Sequence, residues 1–407
     1  MKAILLLGGS ADQLFAIRTA REMGLYTVVV DGNPDSPGFA IADHHAVVST
    51  RDVPALKLFA DAYHAKGAGP ALGGVFVMGS DIPFVVAEMS RHLNSPGVSP
   101  ETAAVATDKH LMKLRFRECG IPIPWFDLVE SAAALEQPLR EHGSLVIKPV
   151  DRSGARGVFR IRQGDDLHAL FAQSHALSFC GRVLAEAYIP GLQISTETVM
   201  SRGRATTPGF ADRNYEMIDA FAPNIIENGG WVPSAADVKL RQQVEQLVEK
   251  AALALGVTDG IAKGDVVVGP QGPMMIEMAA RPSGGDFSES LIPIGSGVNL
   301  IEAGIRIAMG EPPDLQKLRP QWTRGVVNRY FFPKPGKLLE VRGVDQVRQQ
   351  PWLRKLEFWY QPGDQVPEVK SHADRFGVFI AEGADRAEAE QRARWVYETI
   401  EIITCQG

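Results

Sequence analysis

Five consecutive apolar residues, Ala3 to Leu7, run into Gly8-Gly9, and beyond them Leu14, Ile17 and Ala20 recur at helical spacing within Gln13 to Met23. The pattern predicts a buried strand, a turn over Gly8 to Asp12, and a helix closed by Gly24. Tyr26 to Val30 reads as a second buried strand ending at Asp31, and Asn33 to Gly38 as a loop, which makes a βαβ unit. A helix over Asp52 to Ala65, a strand over Gly74 to Met78 and a helix over Ile82 to Leu93 extend this unit into a small doubly wound parallel sheet, assigned to residues 1–105.

The pattern then changes. Ser99 stands where it can cap a helix with Pro100 in its first turn, and a second helix is expected over Lys109 to Glu118. Gly120-Ile121-Pro122-Ile123-Pro124 breaks it. Leu145 to Pro149 is a short apolar strand, Asp151 to Gly157 a glycine-containing turn, and residues 183–188 and 194–200 are further strands. A long helix over Ala236 to Leu255 precedes two strands, Ala262 to Val268 and Pro273 to Met278, joined through Gly269-Pro270-Gln271-Gly272. Strands return after Trp322, and Arg386 to Ile400 reads as a charged amphipathic helix. The expected organisation is α/β followed by α+β: a region 106–310 containing a small lid subdomain at 122–190, then a C-terminal α+β lid region at 311–407.

Composition narrows the function classes. At 407 residues the chain exceeds what one core usually serves, and 45% hydrophobic with 22% charged residues is ordinary for a globular protein. The opening apolar run is too short for a secretory signal, and Cys119, Cys180 and Cys405 give neither a disulfide framework nor a zinc spacing, so a cytoplasmic setting is expected. A net charge of −6 with arginines dispersed among acids speaks against nucleic acid, and no apolar run suits a membrane. A small-molecule enzyme is the leading class.

The candidate chemistry centres on Asp265 and Glu277, which a hairpin would place side by side. Adjacent carboxylates repel unless a cation lies between them, and magnesium with a nucleotide phosphate is the natural cation. The alternative is a surface hairpin with incidental acids. Arg281 can clamp a phosphoryl group or a carboxylate, and Gly284-Gly285 after Ser283 permits close approach of backbone to an anion. Lys148 emerges from a buried strand as a point charge suited to phosphate, and Arg152 to Gly157 is either a phosphate-covering loop or a plain hairpin turn. Lys109 alone reads as half of a solvated pair with Asp108. Ser80-Asp81 and Arg213 with Asn214 are polar groups near the expected cleft, with Arg213 the preferred carboxylate clamp. Gly8-Gly9-Ser10 supplies only the first part of a dinucleotide fingerprint and is either an anion site at a helix N-terminus or a simple turn. The histidines show no metal spacing, and His44-His45 are placed on an exposed turn.

Taken in order, these parts resemble the ATP-grasp superfamily along nearly the whole chain. The motifs are Thr107-Asp108-Lys109 with Gly120 to Pro124, Val146-Ile147-Lys148-Pro149, Arg152 to Gly157, Val183 to Gly191, and Asp265 with Glu277 and Arg281. The resemblance implies ATP with Mg2+ (or Mn2+) as cofactors. It implies Lys109, Lys148, Arg152, Ser153, Gly154 and Gly157 at the phosphates, Glu186 at the adenine amine, the backbone from Ala187 to Ile189 along the base edge, and Gln193 at the ribose. Asp265 and Glu277 would hold metal, Lys148 and Arg281 would act in catalysis, and Arg213, Arg281, Ser283, Gly284 and Gly285 would meet substrate. Three positions depart from the pattern: Ala279 for an asparagine supporting a second metal ion, Gln193 for glutamate, and Lys263 for histidine. One firm magnesium site and a weaker second one are therefore expected. The implied activity is ADP-forming ligation of a carboxylate to an amine through an acyl phosphate. Phe221 to Pro233 and Gly325 to Ile403 look most like amino-acid ligases. Purine-pathway enzymes using formate or bicarbonate come next, then a non-catalytic nucleotide-binding regulator and a dehydrogenase. Small-molecule substrates and a homodimer complete the expectation.

Overall fold

The computed structural model describes residues 2–405. Strands β1 (Ala3–Leu7), β2 (Tyr26–Asp31), β3 (His44–Val47) and β4 (Leu72–Phe76) form a parallel sheet in the order β3-β2-β1-β4. Every residue of β1 is buried, which is what helices on both faces of a parallel sheet require. The expected turn at His44-His45 is instead the edge strand β3. Its side chains alternate between half-buried and exposed, so no continuous apolar run marks it. His45 stacks on Phe39 with ring centroids 4.6 Å apart. In β4, Gly74 lies against helix Leu300–Ala308, where a Cβ would fall 2.5 Å from the Ala308 carbonyl oxygen. Glycine is required there by backbone approach.

A second sheet is antiparallel, with order β5-β8-β6-β7: β5 (Phe126–Val129), β6 (Ser144–Pro149), β7 (Phe159–Arg162) and β8 (Val183–Ala187). Leu145, Ile147, Phe159, Ile161, Val183 and Ala185 pack with Leu135, Leu139 and Leu170 into a separate small core.

The third sheet has eight strands. It contains β9 (Leu192–Ser201), β10 (Arg204–Arg213), β11 (Gly230–Val232), β12 (Gly260–Gly269), β13 (Gly272–Ala279), β14 (Gly325–Phe331), β16 (Leu353–Phe358) and β18 (Gly377–Gly383), ordered β13-β12-β9-β10-β11-β14-β18-β16. The remaining strands, β15 (Gly336–Arg342), β17 (Gln365–Val366) and β19 (Glu401–Cys405), make a small sheet of their own. Helix Val238–Leu255 buries Val244, Leu247, Val248 and Ala251 against one face of the large sheet. Asp237 caps that helix at its start and left-handed Gly256 closes it. The C-terminal strands β14, β16 and β18 continue the central sheet. The reason is edge chemistry: β11 leaves one edge open, and β14 pairs with it from Gly230↔Asn328 to Val232↔Val326. Helix Arg386–Thr399 then covers β14 and β18 through Ala389, Ala393 and Val396.

Candidate active site

A cavity of about 480 Å3 opens where the second sheet, the central sheet and the N-terminal domain meet. The β12–β13 hairpin supplies its floor. The register is Asp265↔Glu277, directly opposite, and Lys263↔Ala279, one rung along. Side chains two residues apart share a face, and Lys263, Asp265 and Glu277 all line the cavity. Asp265 Oδ1 accepts from Ser195 Oγ at 3.0 Å and faces Arg213 Nη1 at 3.0 Å, while Oδ2 is paired with Lys263. Burial would raise the Asp265 carboxyl, but Lys263 and Arg213 outweigh it and hold it far below the usual carboxylate range. Glu277 is also held down: burial opposes ionisation, and Lys109, with Nζ 3.6 Å from Oε2, overcomes it.

Two ionised oxygen-ligand residues suit a hard divalent cation whose other positions go to phosphate and water. Among the described residues no group of three or more His, Cys, Asp or Glu forms a closed metal cage. The donor set therefore fits an ion shared with an incoming ligand.

The opposite wall carries positive charge from below the surface. Glu186, on central strand β8, is bound by Lys148 at one carboxylate oxygen and by Lys113 at the other, at 2.7 Å. All three side chains are buried. Burial pushes the Glu186 carboxyl up, yet the two ammoniums pull it down to about 2. Its side chain is thus paired with the lysines, and it lines the cavity together with Ala187, Tyr188, Ile189 and Gln193. Lys113 was not among the sequence candidates. It lies four residues after Lys109 on one helix face, and that spacing is the signal that could have found it.

The glycine turn closes the rim. Gly154, Ala155 and Gly157 have φ of 69°, 58° and 72°, a left-handed run that curls the backbone. Lys109 Nζ donates to the Arg152 carbonyl at 2.8 Å, and the amide of His372 donates to the Gly154 carbonyl at 3.2 Å. Arg152, Ser153 and Gly154 line the cavity. Gly157 does not; it packs on Pro149 and Leu177.

At the third corner, Arg281 Nε faces Asp81 Oδ1 at 3.3 Å, and Nη1 donates to the Pro282 carbonyl at 3.0 Å. Gly284 packs on Gly79 of the N-terminal domain, where a Cβ on Gly284 would lie 3.2 Å from the Gly79 Cα. Ser283 N donates to Glu197 Oε1 at 2.8 Å, while its hydroxyl is buried without a partner. Arg281, Ser283, Gly284 and Gly285 all line the cavity.

Arg213 is placed differently from a substrate clamp. Its Nε and Nη2 bind Glu227 and its Nη1 binds Asp265, so its donors are already engaged in orienting the hairpin carboxylate. Other groups that sequence reasoning did not select also line the cavity: Glu227, Tyr330, His372 and Arg375. Arg375 lies over the Tyr330 ring at 3.7 Å, donates to the Glu227 carbonyl at 2.5 Å, and has its Nε unpartnered. His372 is half-buried, and desolvation together with the neighbouring Arg375 and Arg213 holds its imidazole well below the usual histidine range. No local pattern marks them together, because Tyr330 lies in β14 while Glu227, His372 and Arg375 come from connecting segments far from it in the chain.

The N-terminal turn lies outside the cavity. Gly8 N donates to Val30 O at 2.8 Å, Gly9 N to Asp31 Oδ2 at 2.8 Å and Ser10 N to Gln13 Oε1 at 3.0 Å. With these amides satisfied internally, the turn offers no anion nest, and both the dinucleotide and the anion readings of Gly8 to Ser10 are corrected to a plain strand-to-helix turn.

Solved structures share this fold. An L-amino acid ligase from Bacillus licheniformis covers 100% of the chain and 99% of its own, at 19% identity and a TM-score of 0.82. A phosphoribosylglycinamide synthetase from Anaerococcus prevotii matches over 100% of both chains at 17% identity and a TM-score of 0.74. The fold is therefore the ATP-grasp fold. The ATP-grasp domain model matches residues 106–285 and the L-amino acid ligase C-terminal domain 2 model matches 329–404, together more than half of the chain. The chain belongs to the ATP-grasp superfamily. Among curated relatives, the L-arginine-specific L-amino acid ligase of Bacillus subtilis is 24% identical over 67% of this chain and 65% of its own length. The formate-dependent phosphoribosylglycinamide formyltransferase of Synechococcus elongatus is 25% identical over 97% of each. The chain spans just under two thirds of the length of the first of these.

Proposed function

We propose that the protein is an ATP-dependent carboxylate–amine ligase that activates a carboxylate as an acyl phosphate, couples it to the amine of an amino acid, and releases ADP and phosphate. The observation that carries this reading is the Asp265–Glu277 rung facing Lys109, Lys148 and the Arg152 to Gly154 turn across one cavity, with Arg281 at its third corner. Magnesium, when bound, would be held by Asp265 and Glu277 and would neutralise phosphate oxygens as the phosphoryl group transfers. Lys109, Lys148 and the turn amides bind the same oxygens. Arg281 presents a guanidinium where negative charge develops on the acyl phosphate. Closure of the glycine turn keeps water from that intermediate. No side-chain nucleophile is required.

An amino-acid acceptor is favoured by the match of residues 329–404 to an amino-acid ligase domain and by the wall of Tyr330, His372 and Arg375 that this region contributes. A formate- or bicarbonate-using ribonucleotide ligase is the second reading, supported by the end-to-end alignment with such an enzyme. The satisfied amides of Gly8 to Ser10 weigh against it, because that turn is where a ribonucleotide phosphate would be expected. The discriminating experiment is ADP release with amino-acid pairs against formate or bicarbonate plus glycinamide ribonucleotide. Release that needs two amino acids supports the first reading; release only with the ribonucleotide sinks it.

A further inference from the structure

The β12–β13 hairpin presents four cross-strand positions on one face of the cleft. One rung is Asp265 opposite Glu277 and the next is Lys263 opposite Ala279. A second divalent ion beside Asp265 would need an oxygen donor from that second rung. Ala279 offers a methyl group, and across from it stands an ammonium already paired with Asp265 Oδ2. The other oxygen, Oδ1, is taken by Ser195 and Arg213. Asp265 thus has two cations in direct contact, whereas Glu277 has Lys109 at 3.6 Å with Lys263 and Lys148 farther off, and keeps 31% of its side chain exposed. The donor set of the Asp265–Glu277 rung suits one divalent ion shared by the two carboxylates. A second ion on the rung of Lys263 and Ala279 would meet the charges of Lys263 and Arg213 with no new ligand to offset them.

We propose that Lys263 takes the place of the second metal ion. Its ammonium is the built-in charge that reaches the nucleotide phosphates from the Asp265 end of the hairpin, and the site works with a single divalent cation. This rests on the nucleotide-binding reading above. Lysine suits the role: it is a compact charge on a flexible stem with three donors, able to turn from a carboxylate oxygen to a phosphate oxygen a few ångströms away. Lys263 is only partly buried and lines the cavity, so it has access to such a ligand. Arg213, locked between Glu227 and Asp265, keeps the carboxylate fixed while the lysine moves.

The test counts metal ions in the full chain. The protein is saturated with the β,γ-imido analogue of ATP and titrated with Mn2+, with bound ions followed by calorimetry and their magnetic coupling by electron paramagnetic resonance. One Mn2+ per chain, with the spectrum of an isolated ion, is expected. Lys263→Gln should weaken analogue binding at least about tenfold at low Mn2+, as loss of a charge-assisted contact does, and excess Mn2+ should restore part of it. Lys263→Gln combined with Ala279→Asn should bind two coupled ions, and Lys263→Arg should keep one. Two ions on the unaltered chain overturn the proposal whatever the variants do, as does a Lys263→Gln protein with unchanged affinity and count. Failure of the unaltered chain to bind the analogue would instead overturn the nucleotide reading on which the proposal stands.

Discussion

Glu186 shapes the site through the two lysines it holds. A buried carboxylate held by Lys113 and Lys148 fixes both ammoniums, and Lys148 is then presented to the cleft in one position. Breaking such a group by removing one partner costs about 3 to 5 kcal/mol, because a buried charge is left uncompensated. Lys113→Met should therefore lower unfolding stability by that amount in denaturant titrations and also weaken nucleotide binding, although Lys113 does not line the cavity. Glu277→Gln and Asp265→Asn should both lose ADP formation while the circular dichroism stays that of the folded protein, and Asp265→Asn should also lower the melting temperature because Lys263 and Arg213 lose their shared buried partner. Turnover retained in either variant removes the metal assignment. Two other carboxyls set the pH response. Burial raises Glu197 to about 7, and its hydrogen bonds from Ser283 and Ser288 only partly oppose the rise. Its folded value lies above the ordinary 4.5, so its contribution to stability is complete below 4.5 and is lost as pH rises through 7. Glu186, held at about 2, contributes above 4.5, and that contribution is lost as pH falls toward 2. The Glu197 contribution should be lost between about pH 4.5 and pH 7, and Glu197→Gln should flatten that fall in melting curves taken across the range.

At the scale of elements, the glycine turn between β6 and β7 is held at its rim by the contacts from Lys109 and the His372 amide. A turn tied by so few bonds opens readily, and a phosphate ligand gathers its amides. Trypsin should cut after Arg152 or Arg156 in the free protein and cut several-fold more slowly with a magnesium–ATP analogue bound; equal rates would show that the turn does not cover the phosphates. Most of the elements that build the site were legible in the sequence. The strands around Lys148, Asp265 and Glu277 carry continuous or alternating apolar runs, and Asp108 caps the helix that begins at Lys109. Edge strand β3 was not legible, because a half-exposed edge has no need of an apolar run. The turn alone would set Asp265 opposite Ile276; a bulge between Asp265 and Val266 shifts the register by one residue and brings Glu277 opposite Asp265, which the sequence pattern does not mark.

Across the whole molecule, three bodies meet at one cavity, and each brings a different kind of group. The small sheet brings lysines and backbone, the central sheet brings carboxylates, and the N-terminal domain docks Gly79 against Gly284 and Asp81 against Arg281. The dependence of ADP release on a second amino acid tests the activity at this scale, since it requires all three bodies to close on two substrates at once. What the sequence determined by itself was the order of parts: a parallel α/β start, the two lysines and glycine turn of a phosphate site, and a carboxylate hairpin followed by an arginine. These are local, because each depends on residue type and short-range periodicity. Tertiary structure alone decided what those side chains are bound to. Arg213 became a brace for Asp265, Glu186 an anchor for two lysines, Gly8 to Ser10 a closed turn, and the C-terminal strands a continuation of the central sheet. Partners of a buried charge and neighbours of a sheet edge are set by residues far away in the chain, and no local pattern records them.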